Sequence, residues 1–128
     1  MLVLAVLAVV GATACASARG QAGPAGPSPN RTRQQKPVLL TVTNQNFADV
    51  DVYAYVGDTR ERLTMVRSMN TVRLPLPVNA IIDGNVQLVV DPIGGLNPFT
   101  TDPIVVNPGE TIRLTVAQAL PMSNWTVD

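Results

Sequence analysis

The stretch ADVDVYAYVGD holds the acidic side chains of this chain that could do chemistry together. Asp49 and Asp51 lie two positions apart and project from the same side of a predicted strand, and paired carboxyl groups can hydrolyse a glycosidic bond. With Asp58 they could also be calcium ligands, but their spacing does not fit an EF-hand loop. We therefore expect these acids to be solvated residues of a strand face, and we predict no metal or cofactor site.

Other catalytic patterns are missing from the sequence. The chain has no histidine, which removes the commonest general base, the histidine-dependent triads and the usual zinc sites. Its serines match no nucleophile elbow, and the glycines of IGGLNPFT lack the Lys-Ser/Thr of a phosphate-binding loop. The sequence predicts a protein that is not an enzyme.

Two tyrosines form the candidate binding surface. Tyr53 and Tyr55 alternate with apolar residues in VDVYAYV and therefore share the opposite face of the strand. They either pack under a second layer of the fold or form an exposed aromatic strip for a ligand or partner. An exposed strip would favour a carbohydrate-binding module.

Cys15 is the only cysteine, so no disulfide can form within the chain. It follows an apolar run at residues 2–10 that is too short to span a bilayer comfortably, since a span needs about 20 residues. The length of the run is typical of the apolar region of a signal peptide, and ATACASA offers the small residues of a cleavage site. We predict a signal peptide over residues 1–18.

The stretch GATACAS also resembles a bacterial lipobox at Thr13, Ala14 and Cys15, although Ala12 stands where that pattern usually has Leu, Val or Ile. The resemblance implies cleavage before Cys15 and a lipid on its sulfur. The protein would then be anchored in the bacterial cell envelope, at the outer membrane facing the periplasm or at the cell surface. The alternative is ordinary secretion, with cleavage after Ala18 and loss of Cys15.

Residues 19–37 read RGQAGPAGPSPNRTRQQKP and contain no apolar side chain larger than alanine. Such a segment cannot bury enough apolar surface to offset the entropy of ordering it, so we predict a disordered linker. Beyond it, five arginines face nine acids, a net charge of −4. An acidic domain argues against nucleic acid as a partner. The predicted partners are the membrane, through the lipid, and another envelope protein.

Residues 38–128 alternate apolar and polar residues in short runs, which is typical of half-buried strands. Turn residues separate the runs at strand-like intervals, so we predict an all-β fold, a small antiparallel sandwich of about seven strands. We expect Leu63 and Met65 to share a buried face, and Phe47, Phe99 and Trp125 to lie in the core. The predicted strands lie at 38–44, 50–57, 62–68, 70–76, 85–92, 110–116 and 123–128.

The order VDVYAYVG, VRLPLPV and VNPGETIRLTVA within residues 38–118 resembles small immunoglobulin-like domains repeated in bacterial envelope proteins. The resemblance implies an immunoglobulin-like sandwich and no particular activity. The predicted function is an exported, membrane-tethered, non-catalytic domain that acts as a structural or protein-interaction module of the envelope. An exposed strand edge could recruit the partner by strand addition. The alternative is a secreted carbohydrate-binding module.

Overall fold

The computed structural model of the protein describes residues 35–95 and 97–128. The predicted signal peptide, Cys15 and the predicted linker up to residue 34 lie outside the described residues. The last linker residues, 35–37, are exposed and have no regular secondary structure.

The described residues fold into ten strands and two 3-10 helices, without an α-helix among them. The all-β prediction is therefore confirmed. The 3-10 helices are Val78–Ala80 and Leu120–Met122. The strands are β1 Leu39–Asn44, β2 Val50–Val56, β3 Thr59–Val66, β4 Thr71–Pro75, β5 Asn85–Val86, β6 Leu88–Pro92, β7 Phe99–Thr100, β8 Ile104–Val105, β9 Thr111–Val116 and β10 Asn124–Val127.

The larger strands form two four-stranded sheets. Sheet A has the order β10-β9-β1-β4, sheet B has the order β3-β2-β6-β7, and β5 pairs with β8 beside them. Inward-facing residues of both sheets belong to one apolar core, which is consistent with a β-sandwich. Every predicted strand run overlaps an observed strand, because alternation with period two places one side of each run against this core.

One pair of strands differs from the antiparallel prediction. β1 and β9 are parallel, with Leu39 beside Thr111, whereas the other strand pairs in the described part of the chain are antiparallel. The two strands lie side by side in the middle of sheet A. Strand pairing between distant segments depends on the connections of the whole chain, and alternation within a run carries no information about it.

The core is built from small aliphatic side chains in the predicted alternation. Val50, Val52 and Ala54 of β2 are fully buried, while Asp51 and Tyr53 face outward. The same pattern holds in the facing strands. Their buried side chains are Leu40, Val42, Leu88, Val90, Ile112, Leu114 and Val116.

The prediction for Met65 is wrong, because a bulge changes the alternation of β3. The register between β2 and β3 shifts between Val52 and Tyr53, so one extra residue stands on β3. Met65 then pairs with Asp51 on the outer face and is exposed, whereas Val66 is buried. Leu63 still packs partly against the core.

Two of the three expected core aromatics lie against the core. Phe99 and Trp125 are partly buried on it, as predicted. Phe47 is 75 % exposed, so its prediction is wrong. It lies in the loop between β1 and β2, where no strand directs it inward.

The sandwich has two different ends. The apex consists of loops 45–49, 67–70, 93–98 and 117–123, where β1, β3, β6 and β9 end; residue 96 is not described. The base consists of residues 35–38, 57–58, 76–84 and 106–110, together with residue 128. The chain enters β1 from the base, where the Leu76 amide donates to the Val38 carbonyl over 2.8 Å.

Candidate functional site

The acids that stood out in the sequence do not meet in one site. Oδ1 of Asp49 accepts a hydrogen bond from the Ser68 amide at 2.8 Å, which fastens the β3–β4 turn to the β1–β2 loop. Oδ1 of Asp51 accepts from Nη2 and Nε of Arg62 at 2.5 Å and 3.0 Å. Asp58 lies at the base, at the far end of β2. Across residues 35–95 and 97–128, no three acidic or other ligating side chains are grouped to hold a metal ion.

Tyr53 and Tyr55 lie on the outer face of sheet B, as the alternation requires, and both are half-buried. The guanidinium carbon of Arg60 lies 5.2 Å from the centre of the Tyr53 ring, which is cation–π geometry. Arg60 therefore covers one face of Tyr53. The pair is neither a buried layer nor a fully exposed strip.

Tyr55 borders a shallow depression of about 190 Å³ beside the base. Asn85 and Gln87 line the same depression and can offer amide groups to a ligand. Of the two predicted surface residues, Tyr55 is the one whose surroundings form a small site.

The edge of sheet B next to these tyrosines is a long strand. β3 has eight residues without a proline, and no strand of the described residues pairs with its outer side. Arg60 and Arg62 lie in the half of β3 that is nearer the base, and the bulge lies opposite Val52 and Tyr53 of β2. Charged side chains and a bulge are the usual means of keeping a free edge from pairing indiscriminately.

The other sheet edges in the described part of the chain are less suited to pairing. β4 ends at Pro75, β7 has two residues after Pro98, and β10 has four residues. Proline lacks the amide hydrogen that a neighbouring strand needs, and a two-residue strand offers few groups. Among the sheet edges of the described residues, the edge of β3 is therefore the one best suited to strand addition.

The apex is held by a network of asparagine side chains. Nδ2 of Asn44 donates to the carbonyls of Ala48, Val66 and Arg67 at 2.9 Å, 3.1 Å and 3.2 Å. Nδ2 of Asn46 donates to two carbonyls of the β9–β10 loop, at residues 117 and 118. These bonds join three loops of the apex through buried or half-buried side chains, so the loops are fixed relative to one another.

Among the described residues, each loop of the apex nevertheless exposes a large apolar side chain. Phe47, Met69, Ile93 and Met122 are between 53 % and 75 % exposed. Met69 also has a φ of 59°, a left-handed conformation that is costly for a bulky residue. The fold thus holds apolar side chains in solvent on a rigid frame.

A groove of about 760 Å³ runs between three of these loops, 45–49, 93–98 and 117–123. Pro92, Phe99 and Leu120 supply apolar walls, and Asn46 and Gln118 supply amides at the rim. The volume lies within the range of about 300–1,000 Å³ that is usual for ligand sites.

The sequence did not reveal the apex. A signal existed in the loops, since NQNFAD and RSMN place Phe47 and Met69 among polar turn residues, where a core side chain is uncommon. Which loops share an end of the sandwich depends on the strand connections, and these were not predictable from alternation.

No known protein family, curated protein or solved structure matches this chain. Among residues 35–95 and 97–128, no helix is long and apolar enough to cross a membrane. Cys15, the predicted lipidation site, lies outside these residues and stays a prediction.

Proposed function

We propose that the chain is an exported, membrane-tethered and non-catalytic β-domain that serves a bacterial envelope as a structural or protein-interaction module. The observation that carries this proposal is the outer edge of β3, which pairs with no strand of the described residues and is eight residues long without a proline. A partner segment can add to such an edge, with main-chain hydrogen bonds giving affinity and side-chain contacts giving specificity.

The partner is a different protein, because the edge of β3 opposes self-association. Arg60 and Arg62 both face outward, opposite Tyr55 and Tyr53 of β2. An antiparallel pairing of two copies over this part of β3 brings guanidinium groups of both copies onto one face. Like charges opposite each other destabilise a strand pair.

The tether in this proposal is a lipid on Cys15, supported by the lipobox-like GATAC. Mass spectrometry of the intact protein extracted from native membranes tests it. We expect a mature chain that begins at Cys15 and carries acyl mass. A chain that begins at Arg19 without acyl mass would contradict lipidation and support plain secretion.

We further propose that the sandwich is immunoglobulin-like. Two four-stranded sheets around one core, within about 100 residues, support this assignment. An experimental structure tests it through the strand order.

The hydrogen bonds that the candidate catalytic acids already make within the fold support the non-catalytic part of the proposal. Asp49 holds a main-chain amide and Asp51 holds Arg62. Turnover of any substrate that is lost on Asp49→Asn or Asp51→Asn, with the fold retained, would overturn it.

Strand addition is tested by placing a photoreactive residue at Arg60 in the full chain in cells. We expect adducts that map to one extended segment of an envelope protein. Thr126, exposed on the outer face of sheet A, is the matched control position and should give none. Equal adducts from both positions would count against the β3 edge.

The depression beside Tyr55 favours a second candidate, a secreted carbohydrate-binding module. Binding of the purified chain to insoluble peptidoglycan or polysaccharide tests this function. Loss of binding on Tyr55→Ala but not on Thr126→Ala would support it.

A further inference from the structure

The apex offers apolar side chains as four separate projections. Phe47, Met69, Ile93 and Met122 each lie on a different loop, and each is more than half exposed. The groove between the loops has apolar walls. Folded proteins often expose single apolar residues, but one on every loop of the same end is a patterned surface.

The apex is also almost free of charge. Its four loops contain only Asp49 and Arg67 as charged residues. Asp49 accepts the Ser68 amide within the loop network, whereas Arg67 is exposed. The apex can therefore leave water without burying an unpaired carboxylate, which is the costly event in such a transfer.

The base also exposes apolar side chains, Val78 and Ile82, but it differs from the apex in charge. Asp58 and Asp83 are exposed there, together with Lys36 and with Asp128, which is paired with Arg113. An anionic bilayer repels such a surface within a Debye length of about 8 Å at physiological ionic strength. Of the two ends, the apex is the one that an anionic bilayer does not repel.

We propose that the apex is a membrane-contact surface, which inserts Phe47, Met69, Ile93 and Met122 into the boundary between headgroups and acyl chains of an anionic phospholipid bilayer. A bilayer accepts separate projections without a complementary shape, and amphipathic surfaces bury apolar side chains about 5–10 Å into it. The surface is distinct from the β3 edge, so this inference goes beyond the proposed function.

The length of the preceding chain permits this contact even with an anchor at Cys15. Residues 16–34 are 19 residues long, and a chain of that length can extend to about 65 Å. The strand β1 spans only about 20 Å between base and apex. Either end of the sandwich can therefore meet the membrane that holds the anchor.

The test uses the chain from residue 19 onward, which lacks Cys15 and the predicted signal peptide, so that a single introduced cysteine carries a fluorophore. The label is placed at Gln118→Cys in the apex or at Asp58→Cys in the base. The chain is mixed with vesicles of phosphatidylethanolamine and phosphatidylglycerol, some of whose acyl chains carry a nitroxide quencher. We expect quenching of the apex label and not of the base label.

Matched substitutions identify the side chains responsible. Phe47→Ser with Met122→Ser should lower the bilayer-bound population of the apex about tenfold for each side chain removed. Val78→Ser in the base with Val105→Ser in β8 removes two apolar side chains that are 85 % and 68 % exposed outside the apex, and should change nothing. Thermal unfolding of each variant confirms that the fold is kept, and Met69→Gly gives a further apex variant that relieves backbone strain.

Three outcomes would overturn the proposal. Equal quenching of both labels would show adsorption without orientation. Quenching that survives the apex substitutions would assign the contact to other residues. Photoreactive groups at Phe47 that give protein adducts instead of lipid adducts in cells would assign the apex to a protein partner. None of these outcomes touches strand addition at β3, which is tested separately.

Discussion

At the scale of single residues, the buried side-chain amide of Asn44 holds the loops of the apex together by hydrogen bonds. Its side chain is 1 % exposed, its Nδ2 donates to three carbonyls, and its Oδ1 accepts from the Asn46 amide at 2.9 Å. No apolar residue at this position could satisfy those groups.

We expect Asn44→Ala to lower the free energy of unfolding by about 2–3 kcal/mol, because it removes the donor to the buried Val66 carbonyl and the acceptor of the Asn46 amide. Asn44→Asp should be worse, since a carboxylate would face the same carbonyls. Urea denaturation measures both. Asn124→Ala, at an exposed position of β10, is the control and should stay within about 0.5 kcal/mol of the natural chain. An equally small effect at Asn44 would show that the network does not stabilise the apex.

Met69 combines a strained backbone conformation with an exposed apolar side chain. Its φ of 59° suits glycine, and its side chain is exposed. Met69→Gly should leave the free energy of unfolding unchanged or raise it by up to about 1 kcal/mol, because the strain is relieved. Met69→Ala keeps the strain and should give no gain. Destabilisation by Met69→Gly in thermal unfolding would mean that contacts of the side chain outweigh the strain.

The sequence predicted most residues of the core correctly, because burial follows from alternation within a run. It failed at Phe47 for a related reason. Aromatic residues are usually buried, but a loop residue has no strand neighbours to fix its direction. Tyr53 and Tyr55 were placed on the correct face, yet their half-burial depends on Arg60 and other neighbours that only the register brings together.

At the scale of elements, the turns were the most predictable connections, and NPGE shows why. Gly109 has a φ of 91°, and the backbone amide of the next residue, Glu110, donates to the Asn107 carbonyl at 3.1 Å. Proline and glycine at the middle positions favour this turn locally, so no tertiary contact is needed to predict it.

Two glycines allow strain and crowding to be separated. Gly57→Ala places its Cβ in open space at a φ of 61°, whereas Gly109→Ala brings its Cβ to 3.2 Å from Cβ of Lys36 at a φ of 91°. We expect Gly57→Ala to cost about 1 kcal/mol from backbone strain and Gly109→Ala to cost more, by about a further 1 kcal/mol. Chemical denaturation of both variants decides the order. A larger loss at Gly57 would contradict this account.

The NPGE turn also carries a pH dependence. Oε1 and Oε2 of Glu110 accept from the Asn107 side chain at 3.0 Å and from the Asn107 amide at 2.8 Å, and these bonds lower the pKa of Glu110. Because the pKa is lower in the folded state, the stabilisation is present above the unfolded pKa and is lost as the pH falls through the folded pKa. The Asn107 amide signal in NMR should titrate with a midpoint below 4.5. Glu110→Gln should abolish that titration, and a midpoint above 4.5 would contradict the assignment.

The features of elements that escaped prediction are those without a local cause. β7 and β8 have two residues each, too few for alternation to be recognised. The bulge in β3 depends on how that strand is fitted against β2, and the parallel pair β1–β9 depends on the path of the whole chain.

At the scale of the whole molecule, the two ends of the sandwich differ in charge. The base contains exposed acids and the point where the chain enters β1, whereas the loops of the apex contain only Asp49 and Arg67 as charged residues. Composition could not predict this polarity, because it arises from which loops the connections bring to one end.

Removing the last two strands should prevent folding. A chain that stops after Asn107 loses β9, the inner neighbour of β1, together with the buried Ile112, Leu114 and Val116. We expect circular dichroism of this truncated chain to show no cooperative transition. A chain that stops after Ser123 loses only the edge strand β10 and is the control, which should remain folded with reduced stability. Cooperative unfolding of the shorter chain would show that sheet B suffices.

The parallel pairing of β1 with β9 has a consequence for the order of events during synthesis. β1 needs β9 as its parallel neighbour, with Leu39 beside Thr111. A chain that emerges with its N-terminus first therefore cannot complete sheet A until nearly all of it has appeared. Until then β1 can have β4 beside it but lacks its other neighbour. If the chain is exported as proposed and crosses the membrane with its N-terminus first, sheet A is completed only after β9 has crossed.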